Sequence, residues 1–275
     1  MKKFLIIALA GITTQVSAQT YGNMPFTTPQ VSNPAFIALN ETPQLNVYSK
    51  FGKMFNSQYI GYNRYAPKLK GSFGVYYNGF NSNYNDLYRQ NRNNIGLSYA
   101  RLFSINDKWK YAIGAGFDFA ASGSAFNGET SFNYDLGFNV GGVLYADKFF
   151  TGINYGNSIH GVANFAWRTG YKLQPFHNKD FSLTPMLTIN QFGGHTELEG
   201  NLNIAYKKVS LNLGYNYGGY NAGISYDFKR FKLNYTIGNM FSIDEKQIYH
   251  EGGIQFKLNK KHQGGKDVKF NHRLF

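Results

Sequence analysis

The chain of 275 residues has no cysteine. That excludes a disulfide framework, zinc–thiolate sites and cysteine nucleophiles in one stroke. It also lacks long hydrophobic runs. The one compact apolar run, Phe4 to Ala10, is too short to cross a bilayer as a helix. Acidic residues are scarce, with 15 Asp+Glu against 28 Lys+Arg and a net charge of +13. Apolar residues at helical spacing are missing at any useful length. Catalytic signatures are missing as well. His160, His177, His195, His250, His262 and His272 are dispersed, with no H-x-x-x-H pair for zinc and no G-x-S-x-G elbow. Gly114-Ala115-Gly116 is followed by alternating aromatics instead of a helix, so it suits a strand facing a lumen and not a phosphate cradle.

What is present is unusual for a soluble protein. Aromatics form 18% of residues, with 22 Tyr, 25 Phe and 31 Gly, yet mean hydropathy is −0.39. A polar average with abundant Tyr, Phe and Gly fits a wall with one lipid face and one wet face. At the N-terminus, Lys2-Lys3, the Phe4 to Ala10 run and Val16-Ser17-Ala18 read as a secretory signal peptide over 1–18. In an exported chain the basic balance favours outer-membrane lipid, lipopolysaccharide or an acidic protein as partner, and not nucleic acid.

Period-two alternation organises the remainder. Val209, Leu211, Leu213, Tyr215 and Tyr217 alternate with Ser210, Asn212, Gly214 and Asn216. The pattern repeats at Tyr220 to Phe228, at Phe231 to Ile237, and earlier at Phe73 to Tyr77, Ile95 to Tyr99, Tyr111 to Phe119 and Phe132 to Val140. Successive strand side chains point to opposite faces, so each segment has an apolar and a polar face. The polar positions hold Asn, Gly and Ser where a soluble sandwich would carry more Lys, Glu and Thr. About fourteen strands match the template of roughly ten alternating residues, near 45–53, 56–66, 70–80, 93–104, 109–121, 131–145, 148–157, 162–173, 180–191, 198–207, 209–217, 220–228, 231–240 and 250–259. Pro185 costs a ladder bond, so its strand is expected to bend or shift. The even-numbered connections are tight and charged: Pro67-Lys68-Leu69-Lys70, Asn106-Asp107-Lys108, Ala146-Asp147-Lys148, Lys207-Lys208 and Lys229-Arg230. The odd-numbered ones, Asn81 to Arg92, Ser122 to Ser131, Gln191 to Glu197 and Phe241 to Gln247, read as longer surface loops.

The expected fold is therefore all-β: a transmembrane antiparallel β-barrel of about fourteen strands, outer-membrane type, over residues 45–259. Residues 19–44, with Pro25, Pro29, Pro34 and Pro43, form an N-terminal arm in the periplasm or folded into the lumen. Residues 260–275 form a basic periplasmic tail carrying Lys260, Lys261, Lys266 and Lys269. Lys232, Asp118, Asp135 and Asp227 fall at lumen-facing positions, where charges pair or tune passage. No cofactor or metal is expected, and no enzyme. Ser158 with His160, or His195 near Glu197 and Glu199, are loop residues expected to be solvated.

Several stretches in order resemble the PorP/SprF family of the type IX secretion system of Bacteroidota. Ser32-Asn33-Pro34-Ala35-Phe36 looks like its N-terminal NPA-aromatic motif, and Gln58 to Tyr62 like its second strand. Asn201 to Lys208 followed by Val209 to Gly219 looks like its paired strands. Gly223 to Phe228 resembles its YSYD strand, and His250-Glu251 its closing HE motif. The resemblance implies a barrel that assists export or surface attachment of large cargo such as gliding adhesins. It further implies two kinds of partner: cargo bearing a C-terminal sorting domain, and periplasmic or peptidoglycan-linked components of the same machine. Asn33, Pro34, Phe36, His250, Glu251 and the tail lysines are then the candidate partner contacts. The alternatives are a passive porin or small-solute transporter, a lipid-modifying barrel enzyme and a soluble lectin.

Overall fold

A computed structural model describes residues 32–40, 42–85, 88–126, 129–158, 163–175, 180–216, 219–241 and 246–258. The signal-peptide segment, most of the arm before Ser32 and the tail with Lys260, Lys261, Lys266 and Lys269 lie outside them.

Fourteen antiparallel strands close into one barrel. They are β1 (Gln44–Gly52), β2 (Phe55–Ala66), β3 (Gly71–Asn85), β4 (Tyr88–Ser104), β5 (Lys110–Phe126), β6 (Glu129–Tyr145) and β7 (Phe149–Ser158). The circuit continues with β8 (Asn164–Tyr171), β9 (Phe181–Phe192), β10 (His195–Tyr206), β11 (Val209–Asn216), β12 (Gly219–Asp227), β13 (Phe231–Phe241) and β14 (Lys246–Lys257). Neighbours in sequence are neighbours in space, and β1 closes on β14 from Gln44↔Lys257 to Gly52↔Tyr249. Closure leaves no unpaired strand edge, which is what a bilayer demands of a sheet.

Side-chain parity turns the alternation into two surfaces. Val47, Ile60, Val75, Tyr77, Ile95, Leu97, Phe117, Phe119, Leu136, Ile224 and Ile254 all point outward and are exposed. A continuous exposed apolar belt of this extent has a physical home only in lipid. Asn46, Asn63, Asn78, Asn94, Thr188, Asn203, Asn212, Ser225 and Thr236 point inward and are buried. Asp118, Asp135, Asp227 and Lys232 share the inward parity. No helix among the described residues is long and apolar enough to cross a membrane; the chain crosses with strands.

Four expectations need correction. The segments read as surface loops are largely strand: β3 and β4 run on to Asn85 and Tyr88, and β5 and β6 to Phe126 and Glu129. Asn, Ser, Gly and Ala stand on both faces of these extensions, so the regular hydrophobic contrast that marks a strand is lost although the ladder continues. Connection length consequently does not alternate as expected. The longest connection, 172–180, is at the same end as the tight charged turns. In addition, β14 begins at Lys246, so His250 and Glu251 lie within the strand and do not open it.

Pro185 does not shift the register of β9, which stays paired with β10 through Leu202↔Pro185. Pairing with β8 stops at Gly170↔Met186 and resumes in the same register at Leu173↔Leu183, where both backbone bonds form. One rung is missing, opposite Tyr171.

Candidate functional site

A short 3-10 helix, η1 (Pro34–Leu39), sits inside the barrel. Proline at the first position sets φ and lacks the N–H that would go unpaired there. Asn33 caps the turn: its Oδ1 accepts from the Ala35 N–H at 2.9 Å. The same amide ties the helix to the wall, with Nδ2 donating to the Ile153 carbonyl at 3.0 Å and the Gly142 carbonyl at 3.3 Å. One asparagine thus supplies both the local cap and the long-range anchor.

The wall is cut to receive this segment. Ala100, Ala112 and Gly114 face inward from β4 and β5, and their small size leaves a hollow. A Cβ on Gly114 would lie 2.6 Å from the Ala35 nitrogen and 2.7 Å from the Pro34 carbonyl carbon, so only glycine admits the backbone of η1. Gly141 meets the Asn33 side chain in the same way. Phe36 packs edge-on against Phe150 with ring centroids 6.0 Å apart. Ala35, Phe36, Ile37 and Ala38 form one buried cluster with Val143, Tyr145 and Met186. Burying Phe36 and Ile37 contributes about 1.5–3 kcal/mol each. Ala100, Ala112, Val143 and Phe150 all lie near the strand ends that meet the charged turns. η1 therefore fills the lumen at the end where the chain enters and leaves the barrel.

Several inward charged groups elsewhere in the lumen are paired, while inward amides such as Asn46 and Asn234 have no side-chain partner among the described residues. Lys257 bonds both Asp227 oxygens at 2.8 Å, and Lys232 faces Asp227 in register. Asp118 accepts from the Tyr76 hydroxyl and from Asn139 Nδ2, with Arg92 acting on it electrostatically. Arg168 donates to Thr188 Oγ1 at 3.1 Å and attracts Glu199, which accepts from Asn190 at 3.2 Å. Lys50 faces Glu251 across the closing seam, its Nζ 4.0 Å above the centre of the Tyr249 ring. Asn46 and Thr188, from distant sectors of the wall, are each 0% exposed. Inward side chains in both sectors are sealed from water.

Asn33, Pro34 and Phe36 are thus brought together, as parts of η1. His250 and Glu251 are separated by the wall. Glu251 points into the lumen and is 1% exposed. His250 points outward, stacks on Phe51 at 5.5 Å and bonds the Tyr235 hydroxyl at 2.7 Å. Lys50 and Arg168 escaped the sequence reading. Their alternation parity already marked them as inward, but their partners depend on barrel closure and register. Among the described residues no three His, Asp or Glu side chains are grouped to hold a metal. His195 and Glu197 stand at the rim of β10, and His160 lies outside the described residues.

No family model matches the sequence and no curated protein matches it. Solved structures do match in fold. The toluene transporter TodX of Pseudomonas putida aligns with TM-score 0.56 at 10% identity, over 86% of this chain and 94% of its own. Omp33 of Acinetobacter baumannii aligns with TM-score 0.55 at 9% identity, over 80% of this chain and 100% of its own. The translocator domain of the autotransporter NalP from Neisseria meningitidis aligns with TM-score 0.51 at 10% identity, over 90% of this chain and 100% of its own. At such identities the likeness is one of fold. The chain is an outer-membrane-type β-barrel that crosses the membrane with its strands.

Proposed function

We propose that this barrel is a PorP/SprF-like component of type IX secretion that assists export or surface attachment of large cargo proteins, acting by binding and not by chemistry. The observation that carries the reading is the seat of η1. The Asn33-Pro34-Ala35-Phe36 segment on which the family resemblance rests is the segment that caps, anchors and fills one end of the lumen. A lumen occupied at one end by η1 suits a docking component better than an open solute pore. The basic turns at the chain-terminus end, with Lys68, Lys70, Lys108, Lys148, Lys207, Lys208, Lys229 and Arg230, form a cationic rim suited to an acidic periplasmic partner. The sequence after β14 is basic as well, with Lys260, Lys261, Lys266 and Lys269.

The direct test is a pull-down from gently solubilised outer membranes, with an affinity tag inserted at the 127–128 tip of the β5–β6 hairpin. Recovery of type IX components, or of a large protein with a C-terminal sorting domain, supports the reading. Recovery of the barrel alone, where other membrane complexes stay intact, overturns it.

The rival is a passive porin or small-solute transporter. Its support is the Asn, Ser and Thr lining, which is chemically suited to water. Purified protein in a planar bilayer distinguishes the two. The filled lumen predicts no steady ion conductance, and stable open-channel steps would move the assignment to the porin.

A further inference from the structure

The two edges of the lipid belt differ in chemistry. At the chain-terminus edge, outward cations lie over aromatic rings: Arg64 over Phe73 at 5.8 Å, Arg101 over Phe103 at 5.1 Å and Lys207 over Tyr206 at 5.3 Å. Cations with apolar stems and rings beside them are what a phospholipid phosphate layer selects. At the opposite edge, the apolar row Ile60–Tyr77–Ile95–Phe119 gives way to amides. Gln58, Asn56, Asn81 and Asn91 point outward at successive levels above it on β2, β3 and β4. This amide surface is ordered by its own bonds. Tyr77 donates to Asn93 at 2.7 Å, Asn93 to Asn91 at 2.7 Å, and Asn81 to Asn56 at 3.3 Å.

The amides border an open groove of about 750 Å³ on the outer face, at the step where β3–β6 rise above the short β1–β2 hairpin. The Asn83 N–H bonds the Met54 carbonyl at 2.8 Å and fixes that step. The floor is hollow because β5 presents Gly123 and Ala125 there. Phe132 forms one side, its ring 3.2 Å from where a Gly123 Cβ would stand, and is 73% exposed. Arg89 and Lys53 also line the groove, and neither forms an ion pair among the described residues.

We infer that this groove binds the phosphorylated saccharide headgroup of lipopolysaccharide. Asparagine side chains each offer a donor and an acceptor, matching vicinal sugar hydroxyls. The exposed Phe132 ring offers a flat apolar surface for a sugar ring. Arg89 and Lys53 complement headgroup phosphates, and a guanidinium does so with two parallel bonds. The groove is continuous with the lipid belt below, so a ligand whose acyl chains lie on Ile60, Tyr77 and Ile95 has its headgroup at this height. Ordinary phospholipids lack the sugars that the amides would serve.

The inference rests on the hairpin end facing outward, as in the proposed function, but not on type IX cargo. The test is native mass spectrometry of the purified full chain in dodecyl maltoside, offered lipid A bearing its inner-core sugars or phosphatidylglycerol. The wild type is expected to retain the glycolipid preferentially. Arg89→Ala with Asn91→Ala should lower that retention about tenfold, as loss of charged hydrogen bonds does, while Arg64→Ala at the other edge should not. Equal retention of both lipids by the wild type, or unchanged glycolipid retention in the double variant, overturns the groove. Heat-modifiable gel migration checks that each variant keeps its barrel. A pull-down without type IX partners would overturn the proposed function and leave this result unaffected.

Discussion

Asn33 carries more structure than any other polar side chain near the chain's entry. It is 4% exposed and makes one capping bond and two bonds to wall carbonyls. Each such bond contributes about 1 kcal/mol net, so Asn33→Ala should shift η1 measurably toward an undocked state. The cleavable bond after Phe36 reports this directly, because Phe36 is 2% exposed when docked. Chymotrypsin should cut there on the order of tenfold faster in the variant, read by intact mass over time. Gly114→Ala should act the same way, since its Cβ meets backbone and not a movable side chain. Gly200→Ala is the matched control: it faces outward with nothing within 4 Å, and its cleavage should equal the wild type. Sequence reasoning saw the motif and assigned lumen-facing glycine to the Gly114 region. It could not see that the two touch, because that contact joins positions far apart in the chain.

At the scale of elements, the alternation revealed every strand of the belt, because lipid outside and amides inside give each strand two unlike faces. Legibility ended where that contrast ends. Beyond Phe80 on β3 and before Asn93 on β4 polar residues stand on both faces: Asn81 and Asn91 point out, Ser82 and Arg92 point in. Such a stretch reads as loop although its ladder is complete. The reverse error arose at Pro185, where a local rule suggested distortion and the flanking strands enforced register. Bonded pairs at Thr169↔Leu187 and Leu173↔Leu183 bracket the missing rung, so the absent N–H is the one that would serve the Tyr171 carbonyl. Pro185→Thr restores it at an outward strand position beside Leu187 and Leu202. The expected gain is about 0.5–1.5 kcal/mol, seen as a higher temperature for the heat-modifiable shift. A lower transition temperature would mean that the proline's ring packing outweighs the rung.

Across the whole molecule, the even number of strands brings both described chain ends to one rim, and that rim carries the basic turns and the cation–ring pairs. The opposite rim carries tall hairpins and an amide surface. These asymmetries, not loop length, distinguish the two rims, and in the proposed orientation the cations face the phospholipid leaflet and the amides the glycolipid one. The absence of cysteine makes the direction measurable, since any introduced thiol is the only one in the chain. Thr130→Cys on the β5–β6 hairpin and Asp107→Cys in the β4–β5 turn are both outside the belt and tolerant of a small side chain. With a membrane-impermeant maleimide on intact cells, Thr130→Cys should label and Asp107→Cys should not. Both should label once the outer membrane is permeabilised. The opposite pattern would invert the barrel, moving the cationic rim to the cell surface and removing the grounds for both the periplasmic partner and the glycolipid groove.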